Sequence, residues 1–205
     1  MLFLVPHFLI YFLLQKFFAH HEHDLLTSLD KKIPLIPEFV WVYHSLLPVL
    51  VGVVVFLLKT KRNFFEVYVA CLFATLCLTA FYILVPCFYP REALPNDNTV
   101  STWLVEMTRI VDDANNVFPS SHVTFSWIVF FGVNELRRSK LFFFSFFIWA
   151  VMVSVSTLFL KQHYLLDVFT GMFLAYCCFY FSKNIVGWYL SSFKPNYLTF
   201  LGEKR

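Results

Sequence analysis

The chain has 205 residues, 59% of them hydrophobic and 14% charged, with 28 phenylalanines and a formal net charge of +3. Soluble domains carry roughly 25% charged residues, and a mean hydropathy of +0.68 leaves too little polar surface to cover a water-soluble fold. The composition points to an all-α integral membrane protein, one membrane-embedded domain over residues 1–205, and the small dispersed charge excludes a basic block for nucleic acid.

Six apolar stretches approach the roughly 20 residues that a helix needs to cross about 30 Å of hydrocarbon. In chain order they cover 2–18, 39–58, 64–85, 117–133, 141–160 and 165–182. Backbone groups in lipid must satisfy one another, so a six-transmembrane-helix bundle is the expected architecture. The first stretch, MLFLVPHFLIYFLLQKFFA, lacks a basic leader and an A-x-A cleavage pattern and reads as a retained span. HHEHD, at 20–24, carries metal-capable side chains, but adjacent histidines on a flexible loop seldom converge on one ion. A solvated interfacial loop is expected there, with no metal and no cofactor. KIPLIPEF follows, and its two prolines break helix and indicate a segment lying along the interface. The five cysteines (Cys71, Cys77, Cys87, Cys177 and Cys178) lie in or beside apolar runs without C-x-x-C spacing and read as core-filling thiols.

Loop charges orient such a bundle. KTKR at 59–62, RRSK at 137–140 and the lysines of the C-terminal tail fall on one side if both termini are cytoplasmic. The other side receives the outer loop 86–116 and the segment KQHYLLD. The polar chemistry therefore faces outward.

Three polar clusters sit at outer helix ends. YPRE brings Arg91; NNVFPSSHVTFSW brings Ser120, Ser121 and His122; STLFLKQHYLLDVFTG brings Ser156, Thr157, Lys161, His163 and Asp167. Ionisable side chains at membrane depth are costly and mark functional cavities. His163 and Asp167 stand one helical turn apart, so the carboxylate can fix the imidazole tautomer and direct its other nitrogen as a base or nucleophile. FPSSH opens a helix whose free amides, with Ser120 and Ser121, can cradle a phosphate, and His122 is placed to donate a proton to a leaving oxygen. Arg91 has a fork suited to phosphate. Taken singly, each has a plainer reading: a helix-capping ion pair, a surface histidine after an N-cap, an arginine anchoring the membrane surface. Together, on one face, they make a set for phosphoryl transfer through histidine.

The pattern P-S-x-H, then S-x6-H-x3-D about forty residues later, resembles the type-2 phosphatidic acid phosphatase superfamily, and KIPLIPEF with FLKQHYLLDV is similar to its short, six-span bacterial members. The resemblance implies a metal-independent reaction in the bacterial cytoplasmic membrane, with active site outward. By that resemblance Arg91 binds phosphate, His122 protonates the leaving group, His163 attacks phosphorus and Asp167 orients it. The family's usual first motif, K-x6-R-P, is incomplete: Leu84 stands where its lysine belongs, and the proline precedes Arg91. Thr157 replaces the arginine of the third motif. Two cations are missing, and Lys161 is the candidate to replace one of them.

The expected function is hydrolysis of a lipid phosphate or polyprenyl diphosphate. Transfer of a phosphorylated head group between lipids, as in sphingolipid or inositol-phospholipid synthases, shares the same His122–His163–Asp167 set. A non-catalytic membrane scaffold is a third possibility, favoured by the missing cations. The expected partners are a lipid phosphate and the surrounding membrane lipids.

Overall fold

One short helix, buried on nearly every side, organises the rest. A computed structural model describes residues 4–17, 23–58, 61–136 and 139–193. In chain order the α-helices are α1 (Leu4–Phe17), α2 (Val40–His44), α3 (Leu46–Gly52), α4 (Lys61–Leu84), α5 (Val100–Val111), α6 (Ser121–Asn134), α7 (Lys140–Phe159) and α8 (Leu165–Phe193). No strand is formed among the described residues, only two isolated bridges, His23 to Cys87 and Phe88 to Asn115, which stitch the outer loops together. The central helix is α6, packed against α4, α7 and α8 with every residue but His122, Phe131 and Asn134 buried.

Each of the six apolar stretches contains helix among the described residues, and the protein is membrane-embedded. Four helical segments among the described residues are long and apolar enough to cross a bilayer: Pro37–Phe56, Arg62–Leu84, Lys140–Phe159 and Leu165–Ser192. The other two, α1 and α6, have 14 residues each, about 21 Å at 1.5 Å per residue. Because α6 is enclosed by its neighbours, it need not match the hydrocarbon thickness as a lipid-facing helix must.

The second stretch is not a continuous helix. It breaks between α2 and α3 at Ser45, whose hydroxyl donates to Val42 O at 2.6 Å and accepts from Trp149 Nε1 at 2.9 Å. Pro48, three residues on, adds a ring without an amide hydrogen. The outer segment 86–116 is also more than a loop. Thr99 caps α5 by accepting from Thr102 N at 3.2 Å, while Asp97 accepts from Thr99 N at 3.1 Å. This helix packs on Pro37–Phe39 and α2 but exposes Val100, Trp103, Ile110 and Val111, the apolar face of an interfacial helix.

The cysteines carry no disulfide. Cys71, Cys87 and Cys178 are buried as expected, whereas Cys177 lies on the exposed side of α8. Of HHEHD, residues 20–22 lie outside the described residues, and Asp24 accepts from the Tyr164 hydroxyl at 2.9 Å.

Two close contacts fix the end of the bundle where α6 and α8 begin. Gly171 in α8 lies so near α6 that a Cβ there would stand 3.0 Å from Ser120 O and 3.1 Å from Val123 Cβ. Small residues let helix backbones approach in this way in membranes. Asp30, only 1% exposed, accepts from Leu165 N at 2.7 Å, from Thr27 N at 2.9 Å and from the Thr27 hydroxyl, so the first outer loop is pinned to the start of α8. Burial by itself would raise this carboxyl, but the Thr27 hydroxyl and the Leu165 and Thr27 amides outweigh it and hold the group below its usual range.

Asp30→Ala, by leaving buried donors without an acceptor, is expected to cost about 2 kcal/mol, read as a lower Tm in detergent. A depressed carboxyl stabilises fully above its unfolded value near ~3.9. The wild-type advantage over the variant should therefore persist at neutral pH and shrink as the pH falls below that value. Gly171→Leu is expected to lower Tm more strongly than Gly187→Leu, because a Cβ at Gly187 meets nothing within 4 Å.

Candidate active site

The site is built where α7 ends and α8 begins. α7 finishes at Leu160, and the chain reverses through Lys161 in a left-handed conformation (φ 55°). The amides of Gln162 and His163 both return to Thr157 O, at 3.0 and 3.3 Å. Glycine normally fills such a C-terminal turn, and a side-chain-bearing residue there costs roughly 1–2 kcal/mol. The Lys161 side chain is held on both sides: Nζ donates to Asp30 O at 3.1 Å and pairs with Glu92 Oε1 at 2.9 Å. Ser156 and Thr157 turn their hydroxyls back onto α7, bonding Val153 O and Ser154 O at 2.7 Å each, so they shape the turn.

His163 follows this turn. Its Nδ1 lies 2.8 Å from Val117 O and 3.2 Å from Asp167 Oδ2. A carbonyl and a carboxylate can only accept, so Nδ1 carries the hydrogen, and in the neutral ring Nε2 holds the lone pair. Asp167 is fully buried; its Oδ2 also accepts from Tyr164 N at 2.9 Å, and its Oδ1 has no partner.

His122 comes from the first turn of α6. Asp167 O accepts from Ser120 N at 3.4 Å, which joins the start of that helix to the residue orienting His163. The rings of His122 and His163 lie with centroids 6.5 Å apart, tilted by 52°, and Tyr43 stacks on His122 at 4.0 Å. Ser120 is fully buried, its hydroxyl spent on capping Val123 N at 3.4 Å. Amides in the first turn of a helix have no acceptor within it, so those of Ser121 and His122 remain available beside the two rings.

Arg91 reaches the same turn from the outer segment. Its Nη2 donates to Gln162 Oε1 at 2.7 Å and Asp113 O at 3.1 Å, and its Nη1 to Arg109 O at 3.4 Å. The sequence-predicted residues thus gather at one end of the bundle: His122, His163 and Asp167 in direct register, Ser120 and Ser121 at the helix start, Arg91 and Lys161 on the 160–163 turn.

Four participants were not singled out by the sequence. Tyr43 covers the His122 ring; Gln162 ties Arg91 to the turn; Glu92 neutralises Lys161. Arg109, in α5, donates to Glu92 O at 2.7 Å and to Leu160 O at 3.5 Å. Burial, together with the neighbouring Arg91, pushes Arg109 down to about 10 against the opposing pull of Glu92. The signal available for Arg109 was the period of Val100, Trp103, Leu104, Met107 and Val111, which makes 86–116 partly helical and places Arg109 on a defined face.

A mostly apolar cavity of about 400 Å³ opens beside His122, lined by residues of α1, α2, α3, α5 and α6. Leu46, Leu47, Leu50, Phe8 and Phe125 form its walls, and Tyr43, Ser121 and His122 form the end next to the imidazole pair. The site therefore has cations on the 160–163 turn beside His163 and a mostly apolar cavity that begins at His122.

No curated protein matches the chain. Among solved structures, the crystal structure of Aquifex aeolicus LpxE is similar in fold, with a TM-score of 0.52 and 18% identity over 90% of this chain and 96% of that one. A family model described as the PAP2 superfamily matches residues 10–181. The matched region holds His122, His163, Asp167 and Arg91, and the chain belongs to the PAP2 superfamily.

Proposed function

We propose that the protein is a membrane-embedded phosphatase that hydrolyses a lipid phosphate or polyprenyl diphosphate at the extracytoplasmic face of a bacterial cytoplasmic membrane. The observation that carries this reading is the neighbouring pair of imidazoles, one oriented by a buried carboxylate and the other bordering an apolar cavity.

In the first step the Nε2 lone pair of His163 forms a bond to phosphorus while the bond from phosphorus to the lipid oxygen breaks. Protonated His122 gives its proton to that oxygen. Asp167 and Val117 O hold the Nδ1 hydrogen, so positive charge developing on the His163 ring is stabilised where it forms. In the second step neutral His122 takes a proton from water, whose oxygen attacks phosphorus, and the nitrogen–phosphorus bond breaks. The phosphate charge is met by Arg91 and Lys161, with the α6 start supplying the amides of Ser121 and His122. These cations and amides supply the charge stabilisation that other phosphatases draw from metal ions, so the reaction is expected to run in EDTA.

The cavity supports a lipid leaving group. The acid must touch the leaving oxygen, so whatever that oxygen carries extends from His122, and the space there is apolar. The orientation rests on the lysines and arginines at the opposite helix ends, among them Arg62, Lys140 and Lys183.

Purified protein in detergent, given phosphate-labelled phosphatidate or undecaprenyl diphosphate with EDTA, should release free inorganic phosphate. Label appearing on a second lipid instead would assign the protein as a head-group phosphotransferase. Rapid denaturation should trap label on the wild-type chain and none on His163→Ala. His122→Ala should lower kcat by roughly 10²–10⁴-fold. Full activity of His163→Ala, or no label ever on protein, would refute the scheme. Leu50→Trp, which fills the cavity, should lower kcat/KM for long-chain lipid phosphates more than for short-chain ones.

A further inference from the structure

The motifs leave the site two cations short of its relatives, and the structure holds a replacement that lies in neither motif. We propose that Arg109 is a second phosphate-binding guanidinium, and that the Glu92 carboxylate holds a seat on Lys161 for which a phosphate oxygen competes. This rests on the reading of His163 and Arg91 given above.

Three successive residues of the turn leading to His163 each hold one cation. Leu160 O accepts from Arg109 Nη2, Lys161 carries its own ammonium, and Gln162 Oε1 accepts from Arg91 Nη2. Consecutive Cα atoms are about 3.8 Å apart, so the three charges are anchored along one short stretch beside the nucleophile. The two arginines are also joined to each other, because Arg91 Nη1 donates to Arg109 O. Like charges brought together and partly buried need an anion between them.

The protein supplies only part of that anion. Among the described residues Glu92 is the one carboxylate within ion-pairing distance of these three cations, and it reaches only Lys161. The sum over Arg91, Arg109, Lys161 and Glu92 leaves an excess of two positive charges, which a phosphate dianion would balance. The Nε groups of Arg91 and Arg109 are both buried without a partner, and buried donors in a finished site are normally bonded. Their missing acceptor is the chemistry a phosphate oxygen provides.

Glu92 is built to yield. Its side chain is 53% exposed, against 1% for Lys161, so the ammonium is fixed and its cover is removable. Its backbone carbonyl meanwhile accepts from Arg109 Nη1 at 2.7 Å. One residue thus bridges both new cations, its carbonyl on Arg109 and its carboxylate on Lys161. When phosphate arrives, the carboxylate can swing into solvent without freeing Arg109.

Equilibrium dialysis of the purified protein against labelled inorganic phosphate tests this without needing turnover. Arg109→Ala should weaken binding by roughly tenfold or more, as loss of a charge-assisted hydrogen bond does, and Arg109→Lys should recover part of it. Glu92→Gln should tighten binding, by roughly threefold or more, because the competing charge is gone while the side chain keeps its shape. A purely structural role for Glu92 predicts the opposite sign or none. If wild type binds phosphate and Arg91→Ala loses it, but Glu92→Gln and Arg109→Ala bind like wild type, the inference fails and the site reading survives. If wild type does not bind phosphate at all, both fall. A melting curve for each variant separates lost binding from lost fold, and Glu92→Gln, a gain of affinity, cannot be produced by misfolding.

Discussion

The site depends on the contact between α6 and α8. Asp167 takes part on both sides of it: its carboxylate receives His163 Nδ1 and Tyr164 N, and its carbonyl receives Ser120 N. The start of the helix that carries His122 is therefore tied to the same residue that holds the His163 ring. Gly171, one turn further along α8, permits the approach because it offers no Cβ to Ser120 O. Any side chain there would push apart the rings whose centroids are 6.5 Å apart. A geometry this dependent on backbone proximity is well served by a buried central helix, since α6 has neighbours on every side and no freedom to slide.

A second constraint is electrostatic. Placing three cations at the end of an apolar bundle is costly, and the fold offsets that cost with backbone carbonyls. Asp30, Glu92, Arg109, Asp113 and Leu160 all lend their carbonyl oxygens to Lys161, Arg109 or Arg91. Carbonyl dipoles hold a guanidinium or ammonium without neutralising it, so the net charge survives for a ligand. More carboxylates would have made the empty bundle more stable and the anion site weaker. The left-handed Lys161 fits the same logic, because a strained residue at the head of the turn brings its ammonium back toward Asp30 and Glu92.

Much of this was legible in the sequence, for identifiable reasons. The apolar lengths gave the long helices, because lipid leaves the backbone few alternatives. The i,i+4 spacing of His163 and Asp167 was readable because one helical turn sets that distance locally. Closeness of His122 to His163 was not a local property; it was inferred from sidedness and follows from packing at Gly171. Three features escaped. The break at Ser45 depends on Trp149, a partner about a hundred residues away. The helix Val100–Val111 was masked by the polar residues around it, although its capping Thr99 and its apolar period were present. Arg109 fell within what read as a loop, and without that helix nothing placed it opposite Leu160.

The division of the site between the cations of the 160–163 turn and the apolar cavity at His122 also bears on how water is managed. Hydrolysis through a histidine intermediate needs the leaving group to depart before water is activated by the same His122. On the proposed scheme, the cavity beginning at His122 would give a cleaved apolar alcohol a path toward the surface on which Phe8 and Leu47 are exposed. Departure in that direction leaves the phosphate anchored on the turn of residues 160–163, away from the exit. Water, in contrast, has its approach from the polar side, past half-exposed Glu92. On the proposed scheme, a single pair of imidazoles would then serve both steps in order, the alcohol leaving by the cavity before water is activated.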